Sequence, residues 1–313
     1  MASDSGASLR IVSLLPSATE IVCAIGLGEQ LVGISHSCDY PAEVIAKPRV
    51  SRPHTEFGGL GSAEIDLAVR RALRDHGSVY QIDVAGIAAL APDLVLTQGI
   101  CDVCAVPEQQ AVAALAGLAS PPTVLTLDAH DLPAILAGIR DVGRAAGAER
   151  QADACVAAIE DRLAAVRARV AGLPLPRVLA LEWLDPPYVP GHWVPELVAI
   201  AGGDLVAGVA RRPSARIDWR ELRSADPDVL LLMPCGLGLE ETLSEAEHYR
   251  EVLADVAGRA IAAGRAYAVD AAAYFSRSGP RVADGVEILA AVLHPARFPD
   301  VSVEGRAAML PGR

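Results

Sequence analysis

The stretch Glu149–Gly172, ERQADACVAAIEDRLAAVRARVAG, sets the architecture. It holds no proline and no internal glycine, and Cys155, Ile159, Leu163, Val166 and Val170 recur at helical spacing. Arginines and acids occupy the other face, the pattern of an amphipathic helix. About twenty residues of helix span roughly 30 Å. Gly172-Leu173-Pro174 then ends the pattern. A rod of this length between two halves permits only small relative motion.

On both sides of the rod, short β-branched runs alternate with Ala/Leu-rich helical patterns. Strands are expected at Arg10–Leu14, Leu31–Ser35, Leu94–Gln98, Thr123–Leu127, Arg177–Trp183, Val229–Met233 and Arg265–Val269. Helices are expected at Ala18–Ile25, Ser62–Asp75, Pro107–Leu118 and Leu132–Gly147. Such alternation builds βαβ units and parallel sheets covered on both faces. Ala91-Pro92-Asp93-Leu94 and Asp226-Pro227-Asp228-Val229 read as one element used twice, a helix stopped by proline and followed by a buried strand. The expected fold is α/β: two Rossmann-like lobes, residues 1–148 and 173–313, joined by a single long helix over 149–172, with a ligand cleft between the lobes.

With 313 residues, 52% of them hydrophobic, the chain can bury two cores. The net charge of −12, with Lys47 the one lysine among 27 basic residues, excludes a basic nucleic-acid surface. No uncharged apolar stretch approaches the roughly 18 residues of a membrane span. MASDSGASLR carries no basic n-region, so no secretory signal is seen and a cytoplasmic location is expected. In that compartment thiols stay reduced, and a CxxC reads as metal-binding or redox-active.

Four of the six cysteines follow expected strand ends: Cys38 in SHSCDYP, Cys101 and Cys104 in LVLTQGICDVCAVP, and Cys235 in LLLMPCGLG. Ligands of open α/β sheets bind outside the carboxyl ends of the strands, so these thiols are candidates for one cleft. A thiolate pair supplies two of the four ligands of a Zn²⁺ or an iron–sulfur cluster. The remainder would come from Cys38, Cys235 or His36. A redox CxxC would open a helix, and here Pro107 and Glu108 mark the helix start three residues later. Cys23 and Cys155 fall on apolar helical faces and read as core.

Two further strand-end loops concentrate ring and charge. Glu182–Trp193 holds Trp183, Tyr188, His192 and Trp193 in a chain that is only 4% aromatic. Flat, partly apolar ligands need such faces. Tyr274-Phe275-Ser276-Arg277-Ser278-Gly279-Pro280-Arg281 places aromatic rings beside guanidinium forks suited to amide or anionic edges. No GxSxG, Walker loop, GxGxxG or HExxH is present, and no enzyme activity is expected.

Together, RIVSLLPSATEIVCAIGLG, SHSCDYP, LAPDLVL, LEWLDPPYVPG followed by IAGG, DPDVLLL and YFSRSGPR resemble the metal-chelate-binding proteins of ABC importers. These are the helical-backbone metal receptors of periplasmic-binding-protein type, and the resemblance, from about Arg10 to Leu293, is to their cobalamin-binding branch. It implies two α/β lobes on one long helix. It also implies cobalamin or another corrinoid as ligand, with Pro16, Ser37, Trp183, Tyr188, Trp219 and Arg277 at contacting positions. Tyr40, His192, Trp193 and Tyr274 complete the candidate ligand set. An ABC transporter permease is the implied partner. Ala85, with Asp83 nearby, and Arg220 or Glu221 stand where the family carries docking acids, and Ala273 stands where an aspartate would precede the YFSR aromatic.

Two other functions compete with a non-enzymatic corrinoid-binding protein. One is a cytosolic metalloprotein holding zinc or an iron–sulfur cluster on Cys38, Cys101, Cys104 and Cys235. The other is a thiol oxidoreductase using Cys101 and Cys104.

Overall fold

The computed structural model describes residues 8–99, 106 and 108–311. The chain divides into two compact units. The first contains β1 (Ile11–Ser13), α1 (Pro16–Ala24), β2 (Leu31–Ile34), β3 (Ser51–Pro53), most of α2 (Ser62–His76), β4 (Tyr80–Ile82), α3 (Val84–Leu90), β5 (Leu94–Gln98), α4 (Glu108–Leu115), β6 (Thr123–Leu127) and most of α5 (Leu132–Ala145). Its main sheet is fully parallel in the order β2-β1-β5-β6, and β3 and β4 form a separate antiparallel pair. Helices cover the parallel sheet, so its central strands β1 and β5 are buried throughout. Val12, Leu14, Val50, Ile87, Val95 and Leu115 form the core.

α6 (Glu149–Val170) is one unbroken helix of 22 residues. It contributes residues up to Val156 to the first unit and the rest to the second. Its buried seam is Ala152, Val156, Ile159, Leu163, Val166 and Val170. Cys155 is therefore not a core position. It is half-buried one step off the seam, as Cys23 is on α1, and partial burial raises both thiols, Cys23 to about 11.

The second unit continues with β7 (Arg177–Leu181), β8 (Trp183–Leu184), β9 (Pro187–Val189), α7 (Val194–Ile200), β10 (Asp204–Leu205), β11 (Ala215–Arg216) and α8 (Trp219–Leu222). It ends with β12 (Val229–Leu232), α9 (Leu239–His248), α10 (Arg250–Ala262), β13 (Ala266–Val269), α11 (Ala271–Tyr274), α12 (Val282–Leu293) and β14 (Ala307–Met309). The main sheet runs β10-β7-β12-β13-β14, parallel except for β14, which closes one edge antiparallel. The run expected as one strand, Arg177–Trp183, breaks after Leu181, and Trp183 starts a second sheet in the order β11-β9-β8.

The repeated Pro-Asp element has one physical basis in both units. Asp93 accepts the Arg10 N–H at 2.9 Å, and Asp228 accepts the Arg177 N–H at 2.8 Å. Each aspartate's own N–H donates back to the same arginine's carbonyl at 2.8 Å. In each case the residue two before the aspartate, Ala91 or Asp226, has positive φ and turns the chain out of the preceding segment. The aspartate thus clips the entry of a buried strand to the start of its parallel neighbour.

The expected boundary near residue 148 is too simple. Phe57–Leu67 and Ala129–Ile135 belong to the second unit. Buried Glu245 accepts the Ser62 N–H at 3.2 Å and also the Ser62 hydroxyl, capping the start of α2. Glu196 accepts the Leu132 N–H at 2.8 Å, and Arg211 reaches both Asp131 and Glu196 at 3.2 Å. Side chains far along the sequence satisfy these helix starts, and no local pattern reports that. Among the described residues no helix is long and apolar enough to cross a membrane.

Candidate functional site

In the second unit three loops leave the carboxyl ends of β7, β12 and β13, which are neighbours in the sheet. Backbone bonds lace them together. The Cys235 N–H donates to the Glu182 carbonyl at 2.9 Å, the Ala272 N–H to the Leu237 carbonyl at 2.9 Å, and the Gly236 N–H to the Ser276 hydroxyl at 3.1 Å. Cys235, Trp183 and the Tyr274–Arg277 segment therefore come from one connected edge of this unit.

The β8–β9 hairpin carries the aromatic residues in a defined register. Trp183 lies directly opposite Tyr188, and Tyr188 directly opposite Arg216. Residues directly opposite in antiparallel strands project to the same face. Leu184, Pro187 and Val189, at the alternate positions, are buried, with Leu184 and Val189 in the core. Period-two alternation thus leaves Trp183, Tyr188 and Arg216 on the outward face. The Trp183 indole N–H donates to the Asp185 carbonyl at 3.1 Å, which fixes the ring against its own turn.

Glu182 anchors this small sheet and was not singled out from the sequence. Its carboxylate accepts the Ser214 hydroxyl and the Gly191 N–H, tying the chain just before β11 to the end of β7. Burial outweighs those two donors and raises its pKa to about 7. Gly191 is needed at this junction: a Cβ there would lie 2.2 Å from the Arg212 carbonyl oxygen. The Arg212 carbonyl instead accepts the His192 N–H at 2.7 Å.

The other expected contact residues fall into different environments. Trp193 is 7% exposed, and its indole N–H donates to the Phe275 carbonyl at 3.1 Å, so it is a packing residue and not a ligand wall. His192, at φ +50, holds its ring 5.7 Å from that of His130. Tyr274 is faced by the guanidinium groups of Arg281 at 5.4 Å and Arg306 at 5.8 Å. Cation–π contact with these arginines already engages its ring. Trp219 opens α8 behind the Asp218 cap and packs partly on the core. Arg277 is partly exposed on the loop after β13.

In the first unit, the loop after β2 is built from short polar side chains. Cys38 is 1% exposed, its Sγ 3.1 Å from Thr19 Oγ1 and 3.2 Å from Ser35 Oγ. Ser37 Oγ is 3.4 Å from Ser35 Oγ. Arg49 donates to the carbonyls of Ser35, at 3.2 Å, and of His36, which curls the loop inward. The His36 Nδ1 lies 3.1 Å from Ser51 Oγ, and its ring is 4.8 Å from that of Tyr80. Burial, with Arg49 nearby, lowers its pKa to about 4 and leaves the imidazole neutral. Tyr40 is 48% exposed and Pro16 begins α1. Asp83, near the position where the resemblance implied a docking acid, caps α3 by accepting the Gly86 N–H at 2.9 Å. Cys101 and Cys104 lie outside the described residues, among which no group of three metal-ligating side chains occurs.

The profile of the periplasmic binding protein family matches residues 11–272. The chain belongs to the periplasmic binding protein family. Members of this family are non-enzymatic substrate-binding proteins of ABC transporters. This periplasmic binding protein is similar to the uncharacterised ABC transporter substrate-binding lipoprotein YvrC of Bacillus subtilis, with 26% identity covering 92% of this chain and 81% of that protein. A vitamin B12-binding protein of Vibrio cholerae is 48% identical over 46 residues, 15% of this chain and 17% of that one. Among solved structures, the periplasmic heme-binding protein RhuT of Roseiflexus sp. RS-1 superposes with a TM-score of 0.68 at 27% identity, covering 93% of this chain and all of that one.

Proposed function

We propose that this substrate-binding protein takes a corrinoid of the cobalamin type, with Trp183 and Tyr188 against the flat face of the ligand and Arg277 at its polar rim. The observation that carries the reading is the outward Trp183–Tyr188 pair, two large rings side by side on a hairpin whose opposite face is anchored in the core. Aromatic side chains on one such face suit a broad ring system with polar edges. The short but 48%-identical match to a vitamin B12-binding protein supports a corrinoid. Heme, the ligand named for RhuT, shares the flat metallated ring and is the natural competitor in the assay. The test is an absorption titration of the full chain with cyanocobalamin, cobinamide and hemin. A spectral change with cobalamin or cobinamide below ~100 μM is expected, with thermal stabilisation of about 2.7 kcal/mol at 100-fold the Kd. Binding of hemin alone overturns the corrinoid assignment.

A second reading, a zinc or iron–sulfur site on N-terminal thiols, is favoured by the sheet order. Cys38 follows β2, and Cys101 and Cys104 come after β5 in the sequence. Only β1 lies between those two strands. His36, two residues before Cys38 in sequence, is neutral, the protonation state a metal ligand requires. In that arrangement Cys101→Ser or Cys38→Ser abolishes metal content measured on anaerobically purified protein, and Cys235→Ser leaves it unchanged. Equal content in all variants excludes the site.

A further inference from the structure

The aromatic pair does not end at Tyr188. Through the β9–β11 register, Arg216 occupies the next place in the same row, on the same face. Two interstrand steps of about 4.8 Å separate the Arg216 backbone from that of Trp183 by about 10 Å. Arg216 is exposed, and among the described residues it makes no hydrogen bond or ion pair. Arg162, Arg169, Arg223 and Arg259 of this unit are paired with acids, whereas Arg167, Arg212, Arg220 and Arg297 are, like Arg216, without a side-chain ion pair among the described residues, so it is the place of Arg216 in the aromatic row that sets it apart. The strand that carries Arg216 is only two residues long, yet it is held by the Glu182–Ser214 bond and by the close approach of Gly191 to residues 212–214. That geometry holds in place an arginine whose side chain has no hydrogen-bond or ion-pair partner among the described residues.

We propose that Arg216 is a specificity-determining residue that reads an anionic substituent at the rim of a flat ligand lying on Trp183 and Tyr188. The location rests on the ligand face argued under the proposed function. The recognised chemistry, a single oxyanion meeting a planar fork of donors, is supplied equally by a carboxylate and by a phosphodiester. Two tetrapyrrole pairs separate those sources. Cobalamin carries a phosphodiester that cobinamide lacks, and hemin carries carboxylates that its dimethyl ester lacks. A third pair, pyrenebutyrate and pyrenebutanol, presents a flat ring with and without a carboxylate and no metal.

Affinities of the full chain, its Arg216→Gln variant and its Arg216→Lys variant are measured for all three pairs. In at least one pair the anionic member is expected to bind the unaltered chain about fivefold more tightly, the effect of one solvent-accessible ion pair. Arg216→Gln is expected to collapse that ratio to within about twofold, and Arg216→Lys, which keeps the charge, to retain most of it. A preference in the cobalamin pair assigns a phosphodiester, and one in the hemin pair a carboxylate. If the pyrene pair alone shows an Arg216-dependent ratio, the anion-reading role stands and the tetrapyrrole assignment falls. Ratios unchanged by Arg216→Gln in every pair, or no binding of any probe, overturn the role of Arg216.

Discussion

The loop after β2 in the first unit and the hairpin after β7 in the second both leave the carboxyl end of a parallel strand, yet they present different chemistry. The first turns inward. Arg49 gathers the carbonyls of Ser35 and His36, and the Cys38 thiol is buried against Thr19 and Ser35. The second turns outward. Leu184 and Val189 take the core face of a new antiparallel sheet and leave Trp183, Tyr188 and Arg216 on the other side. The same position in a repeated α/β plan can therefore hold a buried polar cluster or an outward aromatic face. What decides it is whether the loop builds its own sheet, because a strand's alternation supplies a face that the core does not use.

The sharpest way to break this contrast is to attack the two faces of the hairpin separately. Leu184→Ala removes a fully buried side chain and is expected to destabilise the second unit by about 3 kcal/mol, seen as a lower denaturant midpoint. Trp183→Ala is expected to change stability by less than about 1 kcal/mol and to weaken corrinoid binding at least tenfold, about 1.4 kcal/mol or more. If the two variants behave alike, the hairpin has no division into core and ligand faces. In the first unit, Cys38→Ala takes from the Thr19 hydroxyl its thiol partner and leaves Ser35 only its longer contact with Ser37. It is expected to cost about 1–2 kcal/mol of stability without altering corrinoid affinity.

The response to pH also distinguishes the units. His36 is held at about 4, below the ordinary 6.5, so between those values the unfolded chain binds the proton that the folded chain refuses. Stability from this group is present above about 6.5 and is lost as pH falls toward 4. Glu182 is held at about 7, above the ordinary 4.5, so the folded chain binds the extra proton. Its contribution is full below 4.5 and is lost as pH rises through 7. Denaturation midpoints across pH 4 to 8 should accordingly steepen or flatten in opposite senses in His36→Gln and Glu182→Gln. Shifts of the same sign in both variants would contradict the two environments.

Much of the fold was legible because periodicity and punctuation agree. Leu94–Gln98 and Thr123–Leu127 are strands at the expected residues, and the long helix follows from a run without glycine or proline. The Pro-Asp echo was visible as spelling, and its carboxylate clip became visible only with the neighbouring strand in place. The candidate site was legible in part. Trp183 and Tyr188 stand out in a sequence poor in aromatic residues, but their pairing, and the addition of Arg216, depend on a two-residue strand too short to show any period. Trp193 carries the same local signal as Trp183 and lies in the core. Composition cannot tell them apart, because the Phe275 carbonyl that satisfies its indole is 82 residues away. The pinning of Glu182 by Ser214, 32 residues on, was hidden for the same reason.

The most direct test of the proposed ligand face is amide hydrogen exchange on the full chain with and without saturating cyanocobalamin. Added protection is expected at the β8–β9 hairpin, Trp183 to Val189, and at Ala215–Arg216, and Trp183→Ala should remove it at the same ligand concentration. Cobalamin binding without new protection at those amides would contradict the assignment of this sheet as the binding surface.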